Sequence, residues 1–389
     1  MGSGRPVGRS EVAGLRVLGF CDYFTESSSG GAEKVTAEVY SRLLAHGAEV
    51  RVLSAIPGRA AEVVSMGGIP TQVVPAFDLS GALNAQVTLA PRLLGAARRL
   101  IDEFSPQVLH ATSVHFQGSI AAALVARSRR LPLVTTGHVA SVSQLPLLTR
   151  AAATAYEQTV GRVILRSSTR VIAVSEAVSV HLRHLGAPAG RTRVVGNGVD
   201  HGRFTPGARD PERRQVVFVG RLIQNKGPAD ALAAFAALSH SGAQLTFIGD
   251  GPMRVELERE VARLGLGGAV RFTGHLDDVS PILGSADVLI RPSRTEGQSL
   301  AILEAMAAGV CVLATDIPAN RELVDDGESG LLAPVGDIRQ LAAKLDLLLT
   351  DGRLRDRLAA QGRQRALAHS WEVCARETGQ VLADAAGGR

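Results

Sequence analysis

The sequence predicts an α/β protein with two doubly wound domains, and three observations support this. The chain has 389 residues, of which 46% are hydrophobic, so it is too long for one compact core and suits two domains of ~190 residues each. Short β-rich runs alternate with amphipathic helical stretches, a pattern typical of right-handed βαβ crossovers and a parallel sheet covered on both faces. A polar, Gly/Pro-rich passage at residues 196–214 interrupts this alternation once.

The first domain is predicted over residues 1–200. Its strands are short apolar runs, expected at Leu15–Phe20, Glu49–Ser54, Gln72–Val74, Val108–His110, Leu133–Thr136, Arg170–Val174 and Arg193–Val195. Its helices have apolar residues at helical spacing and are expected at Ala32–Ala45, Val87–Phe104, Gly118–Arg129, Ala151–Arg166 and Glu176–Leu185. In the first of them, Val35, Val39 and Leu43 share one face.

The second domain is predicted over residues 215–369, after a linker at residues 201–214 that is rich in turn-forming residues. Its strands are expected at residues 215–220, 244–249, 270–274, 287–292 and 310–315. A helical stretch follows each strand, near Pro228–Leu238, Met253–Leu264, Val279–Gly284, Ser299–Ala308 and Asp337–Leu349. The sequence therefore contains two successive sets of alternating strands and helices.

Composition argues against a membrane-spanning or secreted protein. The chain contains no apolar run of 18 residues, and the first residues, MGSGRPVGRSEVAG, have no apolar core of a signal peptide. The three cysteines, Cys21, Cys311 and Cys374, are scattered and form neither a disulfide framework nor a metal-binding spacing. We therefore expect a cytoplasmic protein.

Positive charge is concentrated in the first half of the chain. Up to Asp200 there are 20 Lys and Arg against 13 Asp and Glu, an excess of 7 (20 − 13), while the whole chain carries +5. A basic first domain suggests an anionic partner, such as a phosphorylated acceptor or an anionic membrane at its cytoplasmic face. The alternative is a general preference for arginine, since 39 of the 42 basic residues are Arg. We expect no nucleic-acid partner.

Ligands of doubly wound sheets bind outside the carboxyl ends of the strands, and the first candidate site lies at such an end. The loop Gly220–Gly227 follows a predicted strand and contains Arg221 and Lys226, one of only three lysines. A guanidinium fork and a compact ammonium group together suit a diphosphate. The alternative is that both are solvated loop cations.

The second candidate site is the stretch from Arg291 to Gly309. Glu296 lies in a loop after a predicted strand, and Glu304 lies eight positions later inside the following helix. The free amides at this helix start suit a phosphate, and they belong to Gly297, Gln298, Ser299 and Leu300. Since a carboxylate repels phosphate, the two glutamates would accept hydrogen bonds from the hydroxyls of a sugar and a ribose. The alternative is a helix-start Glu favoured by the dipole and an exposed Glu304.

The remaining candidates belong to the first domain. Gly30 and Gly31 precede the first helix and allow the backbone to approach a ligand closely, although a flexible turn is the alternative. His138 follows a predicted strand and could donate to a sugar hydroxyl, although a single histidine is often structural. No GxGxxG follows the first strand, which argues against a nicotinamide cofactor. The sequence also contains no Asp-x-Asp pair, HExxH or CxxC, which argues against a metal site. We therefore expect neither a cofactor nor a metal ion.

Several motifs together resemble the large retaining glycosyltransferase family 4, also called glycosyl transferases group 1. They stand in the family's order over roughly residues 15–375 and are GGAEK (30–34), GNGVD (196–200), VGRL…KG (219–227), GDGP (249–252), EGxxLxxLEAMAxG (296–309) and DDGESGLL (325–332). The resemblance implies the GT-B fold, in which two Rossmann-like domains face each other across a cleft. It also implies that residues 1–200 form the acceptor-side domain, completed by the C-terminal helix 370–389, and that residues 215–369 bind the donor.

The same resemblance implies roles for the candidate residues. The catalytic residues would be His138, Arg221, Lys226 and Glu296, and the substrate-binding residues would be Gly30, Gly31, Gly297, Gln298, Ser299, Leu300 and Glu304. Gln298 stands where many relatives have an aromatic residue, and Ala319 where many have Gly. These departures bear on the donor sugar rather than on the fold.

The implied activity is transfer of a hexosyl or N-acetylhexosaminyl group from a nucleotide diphosphate sugar to a hydroxyl of a glycan, a lipid-linked acceptor or a small molecule. Such transfer would serve the synthesis of cell-envelope polysaccharide, glycolipid or secondary-metabolite glycosides. The alternatives are a nucleotide-sugar epimerase or phosphorylase of the same fold and a non-catalytic sugar-nucleotide-binding subunit. A nicotinamide oxidoreductase is a third alternative that fits the fold, but this sequence lacks the dinucleotide-binding fingerprint.

Overall fold

The structure is a computed structural model that describes residues 11–25, 30–78, 88–141, 147–210, 213–238 and 242–388. The chain forms two compact units, of which the first comprises Met1–Gly196 with Trp371–Arg389 and the second Asn197–Ser370. Each unit is built on a mainly parallel sheet covered by helices. The predicted α/β class with two domains is therefore confirmed.

The first unit alternates strands and helices from its first described residues. Its strands are β1 (Arg16–Phe20), β2 (Glu49–Pro57), β3 (Glu62–Met66), β4 (Ile69–Asp78), β5 (Thr88–Leu89), β6 (Val108–Ala111), β7 (Leu133–Gly137), β8 (Arg170–Ala173) and β9 (Thr192–Val194). Its helices are α1 (Gly31–Ala45), α2 (Leu93–Phe104), α3 (Gln117–Arg129), α4 (Leu147–Tyr156), α5 (Arg162–Ser167) and α6 (Glu176–His184). A π-helical turn, Glu157–Gly161, joins α4 to α5.

The second unit repeats this plan. Its strands are β10 (Gln215–Val219), β11 (Gln244–Ile248), β12 (Val270–Gly274), β13 (Val288–Arg291), β14 (Cys311–Thr315) and β15 (Leu331–Ala333). Its helices are α7 (Pro228–Ala236), α8 (Arg254–Arg263), α9 (Ser280–Ser285), α10 (Leu300–Ala307), α11 (Pro318–Arg321), α12 (Ile338–Thr350) and α13 (Gly352–Ala366). The last helix, α14 (Trp371–Ala386), belongs to the first unit.

The order of strands creates one switch point in each sheet. In the first unit the described strands lie in the order β3-β4-β2-β1-β6-β7-β8-β9, with β5 paired to β4. In the second unit the order is β12-β11-β10-β13-β14-β15. From β1 the chain continues to β2 on one side, whereas from β6 it continues to β7 on the other side. In the second sheet, β10 and β13 likewise continue to β11 and β14 on opposite sides. The loops after the two strands of each pair therefore diverge and open a crevice there. These two crevices are the expected places for ligands.

Buried strands form the cores. In the first unit Leu18, Phe20 and Leu109 are buried under α2 and α3, and Val35, Val39 and Leu43 of α1 are also buried, as their spacing predicts. In the second unit both faces of the sheet carry a cluster of buried apolar side chains. Parallel strands that are apolar on both faces need such covering layers of helices.

Two local features of the first unit differ from the sequence prediction. The helix predicted at Val87–Phe104 begins only at Leu93, because Thr88–Leu89 pairs with the end of β4 as strand β5, and Val87 lies outside the described residues. The antiparallel strand β3 was not predicted, since it lies at the sheet edge and only Met66 of its five residues is buried. Neither difference changes the order of the central strands.

The predicted linker contributes side chains to the second unit. Phe204 is buried in the core of that unit. Just before the linker, Val199 donates its backbone N–H to the carbonyl of His369 at 3.1 Å. Residues 211–212 of this passage, and Ser27–Ser29 of the glycine-rich stretch near the N-terminus, lie outside the described residues. Within the described part of the chain, no helix is both long enough and apolar enough to cross a membrane.

Candidate functional site

The centre of the candidate site in the second unit is the Glu296 carboxylate, in the loop after β13. Its Oε2 accepts a hydrogen bond from Lys226 Nζ at 2.6 Å. Its Oε1 accepts bonds from Arg291 Nη2 at 2.8 Å and from Ser293 Oγ at 2.7 Å. Because Glu296 is only 8% exposed, both oxygens meet protein donors rather than bulk water.

The loop after β10 delivers Lys226 to this carboxylate. A 3₁₀ turn, Gln224–Lys226, ends at Gly227, whose φ of +71° lies in the left-handed region. A Cβ on Gly227 would overlap the carbonyl of Pro292, so only glycine lets the two loops approach this closely. The backbone N–H of Arg294 also donates to the Asn225 carbonyl at 2.9 Å. The loops after β10 and β13 thus form one tied structure at the switch point of the second sheet.

Arg291 is the main site residue that the sequence analysis did not select. It is the last residue of β13, is 5% exposed, and donates to Glu296 through both Nε and Nη2. Its Nη1 donates to the carbonyl of Val219, and its guanidinium lies 5.6 Å from the centre of the Phe218 ring. Arg291 is therefore a fixed structural partner of the carboxylate rather than a mobile surface cation.

Electrostatics keep this carboxylate charged. Burial raises the pKa of Glu296, but the charges of Lys226 and Arg291 and the hydrogen bonds from Lys226 and Ser293 outweigh it and lower the pKa to about 2. Burial lowers the pKa of Lys226, and the neighbouring Glu296 opposes that effect. The cluster has two cations for one carboxylate, so it has spare positive charge for an anion.

The start of α10 adjoins this cluster. Ser299 is the N-cap, and its hydroxyl accepts the N–H of Ile302 at 3.4 Å, while the first turn contains no acidic residue. Gly297 and Glu304 are buried and Leu300 is half-buried. Gln298 Oε1 accepts the backbone N–H of Asn197 at 2.5 Å. An N-terminus capped only by a hydroxyl is an ordinary phosphate-binding element.

Arg221 completes the predicted set in the second unit. It is exposed, in the loop after β10, and it lies near enough to Lys226 to lower the pKa of that lysine by charge repulsion. The structure therefore brings Arg221, Lys226, Glu296 and the start of α10 to one switch point.

The predicted glycines of the first unit stand at the start of α1. Gly30 is the N-cap and Gly31 the first helical residue, and the first turn contains Glu33. Glu33 is 5% exposed, and a Cβ on Gly30 would overlap its carboxylate. The glycine therefore makes room for the chain's own carboxylate at this helix start.

His138 follows β7 and is half-buried. Burial lowers its pKa to about 4, against the raising effect of a hydrogen bond with the Thr112 backbone. His110 nearby contacts the Tyr40 hydroxyl at 2.9 Å, and burial, with the charge of His138, lowers its pKa to about 3. Both imidazoles are therefore neutral near pH 7 and act as hydrogen-bonding groups.

Asp22 lies in the loop that leaves β1 and is 1% exposed. Its Oδ2 accepts the backbone N–H of Gly118, at the start of α3, at 3.1 Å. Its Oδ1 is buried and has no hydrogen-bond partner among the described residues. Burial raises the pKa of Asp22 to about 6, although nearby backbone amides lower it. A buried acceptor without a partner needs a physical explanation.

A second carboxylate of this unit is held by two histidines. Glu157, in the π-helical turn, accepts hydrogen bonds from His115 Nε2 at 2.9 Å and His181 Nε2 at 3.0 Å on the same oxygen. Burial raises its pKa, but these two bonds outweigh it and lower the pKa to about 2. Glu157 thus joins two histidines that lie 42 residues before it and 24 residues after it in sequence.

The predicted residues therefore divide between the two units. Gly30, Gly31 and His138 lie in the first, and the others lie in the second. Sequence reasoning missed Arg291, Asp22 and Glu157. The partners of Asp22 and Glu157 are distant in sequence, and only the fold brings them close. In the described part of the chain, no group of three or more His, Cys, Asp or Glu side chains is arranged to hold a metal ion; metal independence stays a prediction.

Comparisons with known proteins agree with this division. The family model for glycosyltransferase family 4 matches residues 29–203, and the model for glycosyl transferases group 1 matches residues 204–365. A glycogen synthase of Mycobacterium tuberculosis is 30% identical over 284 residues, which cover 71% of this chain and 68% of that protein. A phosphatidyl-myo-inositol mannosyltransferase of Mycolicibacterium smegmatis is 29% identical over 388 residues, covering 96% and 95%.

A solved structure also has the same fold. Anabaena HepE, crystallised with UDP and glucose, superposes with a TM-score of 0.76 at 20% identity, over 95% of this chain and 99% of that one. At this level of identity the likeness concerns the fold alone. The family models and the glycogen synthase carry the assignment: this chain belongs to glycosyltransferase family 4, within the group 1 glycosyl transferases.

Proposed function

We propose that this glycosyltransferase moves a hexosyl or N-acetylhexosaminyl group from a nucleoside diphosphate sugar to an acceptor hydroxyl, with retained anomeric configuration and without a metal ion. The observation that carries the proposal is the Glu296 carboxylate, held between Lys226 and Arg291 beside the start of α10. Spare positive charge and a hydroxyl-capped helix start suit a diphosphate, while the carboxylate suits sugar hydroxyls. The presence of UDP and glucose in the HepE crystal supports a nucleotide donor.

Arg291 explains how Lys226 can serve two partners. A buried carboxylate that loses its only cation is strongly destabilised. Here Arg291 donates to Glu296 through two nitrogens, so Lys226 can turn part of its charge toward a diphosphate while Glu296 stays compensated. Glu296 then remains ionised and accepts hydrogen bonds from the hydroxyls of the transferred sugar.

The reaction breaks the bond between the anomeric carbon and the diphosphate oxygen. Negative charge grows on the leaving diphosphate, and Arg221, Lys226 and the amides of Gly297 to Leu300 stabilise it. Preorganised donors of this kind are typically worth about 10²- to 10³-fold in rate each. The acceptor oxygen bonds to the anomeric carbon on the face that the leaving group vacates, and its proton passes to the leaving phosphate oxygen.

Other predicted residues position the substrates. Glu304 would accept hydrogen bonds from the nucleotide ribose, and His138 would contact the donor sugar as a neutral imidazole, since its pKa of about 4 keeps it uncharged. Gly30 and Gly31 would let the start of α1 approach the donor, with Glu33 beside them.

The biological acceptor is proposed only by class. The relatives are named for glycogen synthesis and for mannosyl transfer to phosphatidyl-myo-inositol, which supports polysaccharide, glycolipid or secondary-metabolite glycoside synthesis. Cytoplasmic location and contact of the basic first unit with an anionic membrane remain parts of the proposal.

A thermal-shift panel tests the donor site. Wild type and Lys226→Ala would be heated with UDP, GDP, ADP, dTDP and NAD, without metal. We expect one nucleoside diphosphate to raise the melting temperature of the wild type. At ~100 times its Kd it should add about 2.7 kcal/mol to the free energy of unfolding. The same nucleotide should not stabilise the variant. Stabilisation by NAD alone would contradict the proposal.

Product analysis separates the alternatives. NMR of the product should show the anomeric configuration of the donor, and an inverted anomer would exclude the mechanism above. An epimerase would convert the nucleotide sugar without an acceptor. A non-catalytic subunit would bind the nucleotide and turn over nothing.

A further inference from the structure

We propose that Ser293, Thr315 and Asn320 form a positioning network that fixes one oxygen of the Glu296 carboxylate, so that the other oxygen is left to accept a hydroxyl of the transferred sugar. The inference rests on the proposed function and adds three positioning residues to that site. All three are fully buried, so they act through Glu296 and do not touch the substrate themselves.

The two oxygens of Glu296 have unequal partners. Oε1 accepts hydrogen bonds from Arg291 Nε at 3.1 Å, from Arg291 Nη2 at 2.8 Å and from Ser293 Oγ at 2.7 Å. Oε2 accepts one, from Lys226 Nζ at 2.6 Å. Because each carboxylate oxygen has about two lone-pair sites, protein donors saturate Oε1, whereas the described contacts leave Oε2 able to accept one more donor.

The surroundings of the two oxygens also differ in exposure. Arg291 and Ser293, which hold Oε1, are 5% and 0% exposed. The side chain of Lys226, which holds Oε2, is 22% exposed. The carboxylate is therefore nearest to solvent on its Lys226 side, and a sugar hydroxyl that approaches Glu296 from there meets Oε2.

The Ser293 hydroxyl keeps the two oxygens in these places. Because the pKa of Glu296 is about 2, the carboxylate is ionised and only accepts hydrogen bonds, so the proton of Ser293 Oγ points to Oε1. Arg291 donates to the same oxygen from the end of β13. These donors together oppose rotation of the carboxylate, which would exchange its two oxygens.

Thr315 holds the loop that carries this hydroxyl. It is the last residue of β14, one residue beyond the point where Ala314 pairs with Arg291 of the neighbouring strand β13. Its Oγ1 donates to the backbone carbonyl of Ser293. The other four residues of β14 are Cys, Val, Leu and Ala, and valine would fill the same space as Thr315. The hydroxyl is therefore the feature that distinguishes threonine at this position.

Asn320 sets the direction of the Thr315 hydroxyl. Its Nδ2 donates to the Thr315 carbonyl at 2.9 Å and to Oγ1 at 3.4 Å, so Oγ1 accepts from Asn320 and donates to Ser293. Asn320 Oδ1 is buried and has no hydrogen-bond partner among the described residues. Turning the amide over would set Oδ1 against the Thr315 carbonyl, where two acceptors repel. The amide therefore keeps the orientation that supports Thr315, although one buried oxygen stays unpartnered.

The affinity of a nucleotide sugar relative to that of its nucleoside diphosphate tests the network. Dissociation constants would be measured by calorimetry for UDP, GDP, ADP and dTDP and for their glucose, mannose and N-acetylglucosamine conjugates. Ser293→Ala removes a hydrogen bond to a charged group, so the Kd of the bound conjugate should rise about tenfold, while that of the matching diphosphate changes less than about twofold. An unchanged ratio of the two constants would overturn the inference, whether both ligands weaken or neither does.

Thr315 offers a pair of variants that separates positioning from packing. Thr315→Val removes the hydroxyl and keeps the shape, so the Kd of the conjugate should rise about threefold relative to that of the diphosphate. Thr315→Ser keeps the hydroxyl and loses a buried methyl group, so the ratio should stay at the wild-type value while stability falls. If both variants change the ratio equally, packing is responsible and the inference is wrong. The pair also decides the question if Ser293→Ala does not fold.

Thr273→Val is the matched control. Thr273, in β12, also donates its hydroxyl to a backbone carbonyl, that of Gly274 at 2.9 Å. Since β12 lies three strands from β13 in the sheet, this variant should leave the ratio of the two constants unchanged. A change as large as in Thr315→Val would mean that any lost hydroxyl in this unit alters the ratio, and it would also overturn the inference.

Failure of this inference is separable from failure of the proposed function. If neither a nucleoside diphosphate nor a conjugate binds the wild type, the proposed function is wrong and the inference falls with it. If the ligands bind and the ratio is the same in wild type, Ser293→Ala and Thr315→Val, only the positioning network is wrong.

Discussion

The switch points of the two sheets have the same topology but different groups at their helix starts. In the first, Glu33 lies at the start of α1, and Asp22 accepts a hydrogen bond from Gly118 at the start of α3. In the second, Lys226 and Arg291 surround Glu296, and the start of α10 has only the Ser299 hydroxyl as its cap. One exception in the second unit, Asp230 in the first turn of α7, is paired with Arg294 at 3.3 Å.

The difference shows that a doubly wound sheet supplies a place for a ligand but not its chemistry. Free amides at a helix start attract anions unless the chain provides its own carboxylate there. The second unit leaves α10 open and adds cations, so it suits a diphosphate. The first unit has its own carboxylates at the corresponding helix starts, so these amides are not open to an anion in the same way.

Lys226→Ala should have the largest effect on this contrast. It removes a cation that stabilises the leaving diphosphate, so kcat/KM should fall about 10²- to 10³-fold. Steady-state kinetics with the nucleotide sugar found in the thermal-shift panel would measure this. Lys344→Ala is the control, since Lys344 pairs with Asp326 elsewhere in the same unit. A loss of equal size in both variants would mean that the second switch point is not the anion site.

Glu157→Gln should affect stability instead of nucleotide binding. The folded-state pKa of Glu157 is about 2 against an ordinary value of 4.5, which corresponds to about 3 kcal/mol of stabilisation. Because the pKa is lowered, this stabilisation is complete above about pH 4.5 and is lost as the pH falls toward 2. Urea unfolding at pH 7, 5 and 3.5 should show the variant weaker at the first two values and closer to wild type at the third.

The control for this experiment is Glu176→Gln, because Glu176 pairs with Arg183 on the surface and should change stability little. Nucleotide affinity should stay unchanged in Glu157→Gln. A drop in that affinity would place the Glu157 cluster in the donor site and weaken the contrast between the units.

Arg291→Met should shift the pH profile of the reaction. Without Arg291, burial acts more strongly on Glu296, whose pKa rises from about 2, so the carboxylate protonates at higher pH. A shift of two to three units would lower kcat/KM by up to about fourfold at pH 4.5 relative to pH 8. Arg321→Met, which removes an exposed partner of Asp316, should leave the profile flat over this range. An unshifted acid limb in Arg291→Met would show that Lys226 alone keeps Glu296 ionised.

The sequence predicted the parts of the site that follow from local order. Lys226 and Glu296 each follow a strand, and strand ends of one parallel sheet meet at one edge, so their proximity could be expected. Arg291 could not be selected in the same way. It ends a strand in a chain with 39 arginines, and whether its side chain points into the sheet depends on the pleat.

Contacts between distant segments were beyond sequence reasoning. Asp22 meets Gly118 across 96 residues, and Glu157 meets His115 across 42. Neither pair has a spacing that a helix or strand repeats, so only the order of strands in the sheet brings them together. Total charge likewise contains no information on which edge of the sheet the arginines occupy, so the anionic partner of the basic first half stays a prediction.

Gln298→Phe should have the smallest effect and sharpens the contrast within the second switch point. Gln298 Oε1 accepts the N–H of Asn197 at 2.5 Å, and Asn197 Nδ2 donates back to the Gln298 carbonyl at 3.3 Å. Loss of one such bond costs about 1 kcal/mol, or about fivefold in affinity. We therefore expect the KM for the donor to rise about fivefold with kcat nearly unchanged, because Glu296 and Lys226 keep their contacts. Gln340→Ala, which removes a hydrogen bond within α12 to Asp337, should leave the KM as it is. A large fall in kcat would instead mean that Gln298 positions the reacting sugar and does more than hold the loop at Asn197.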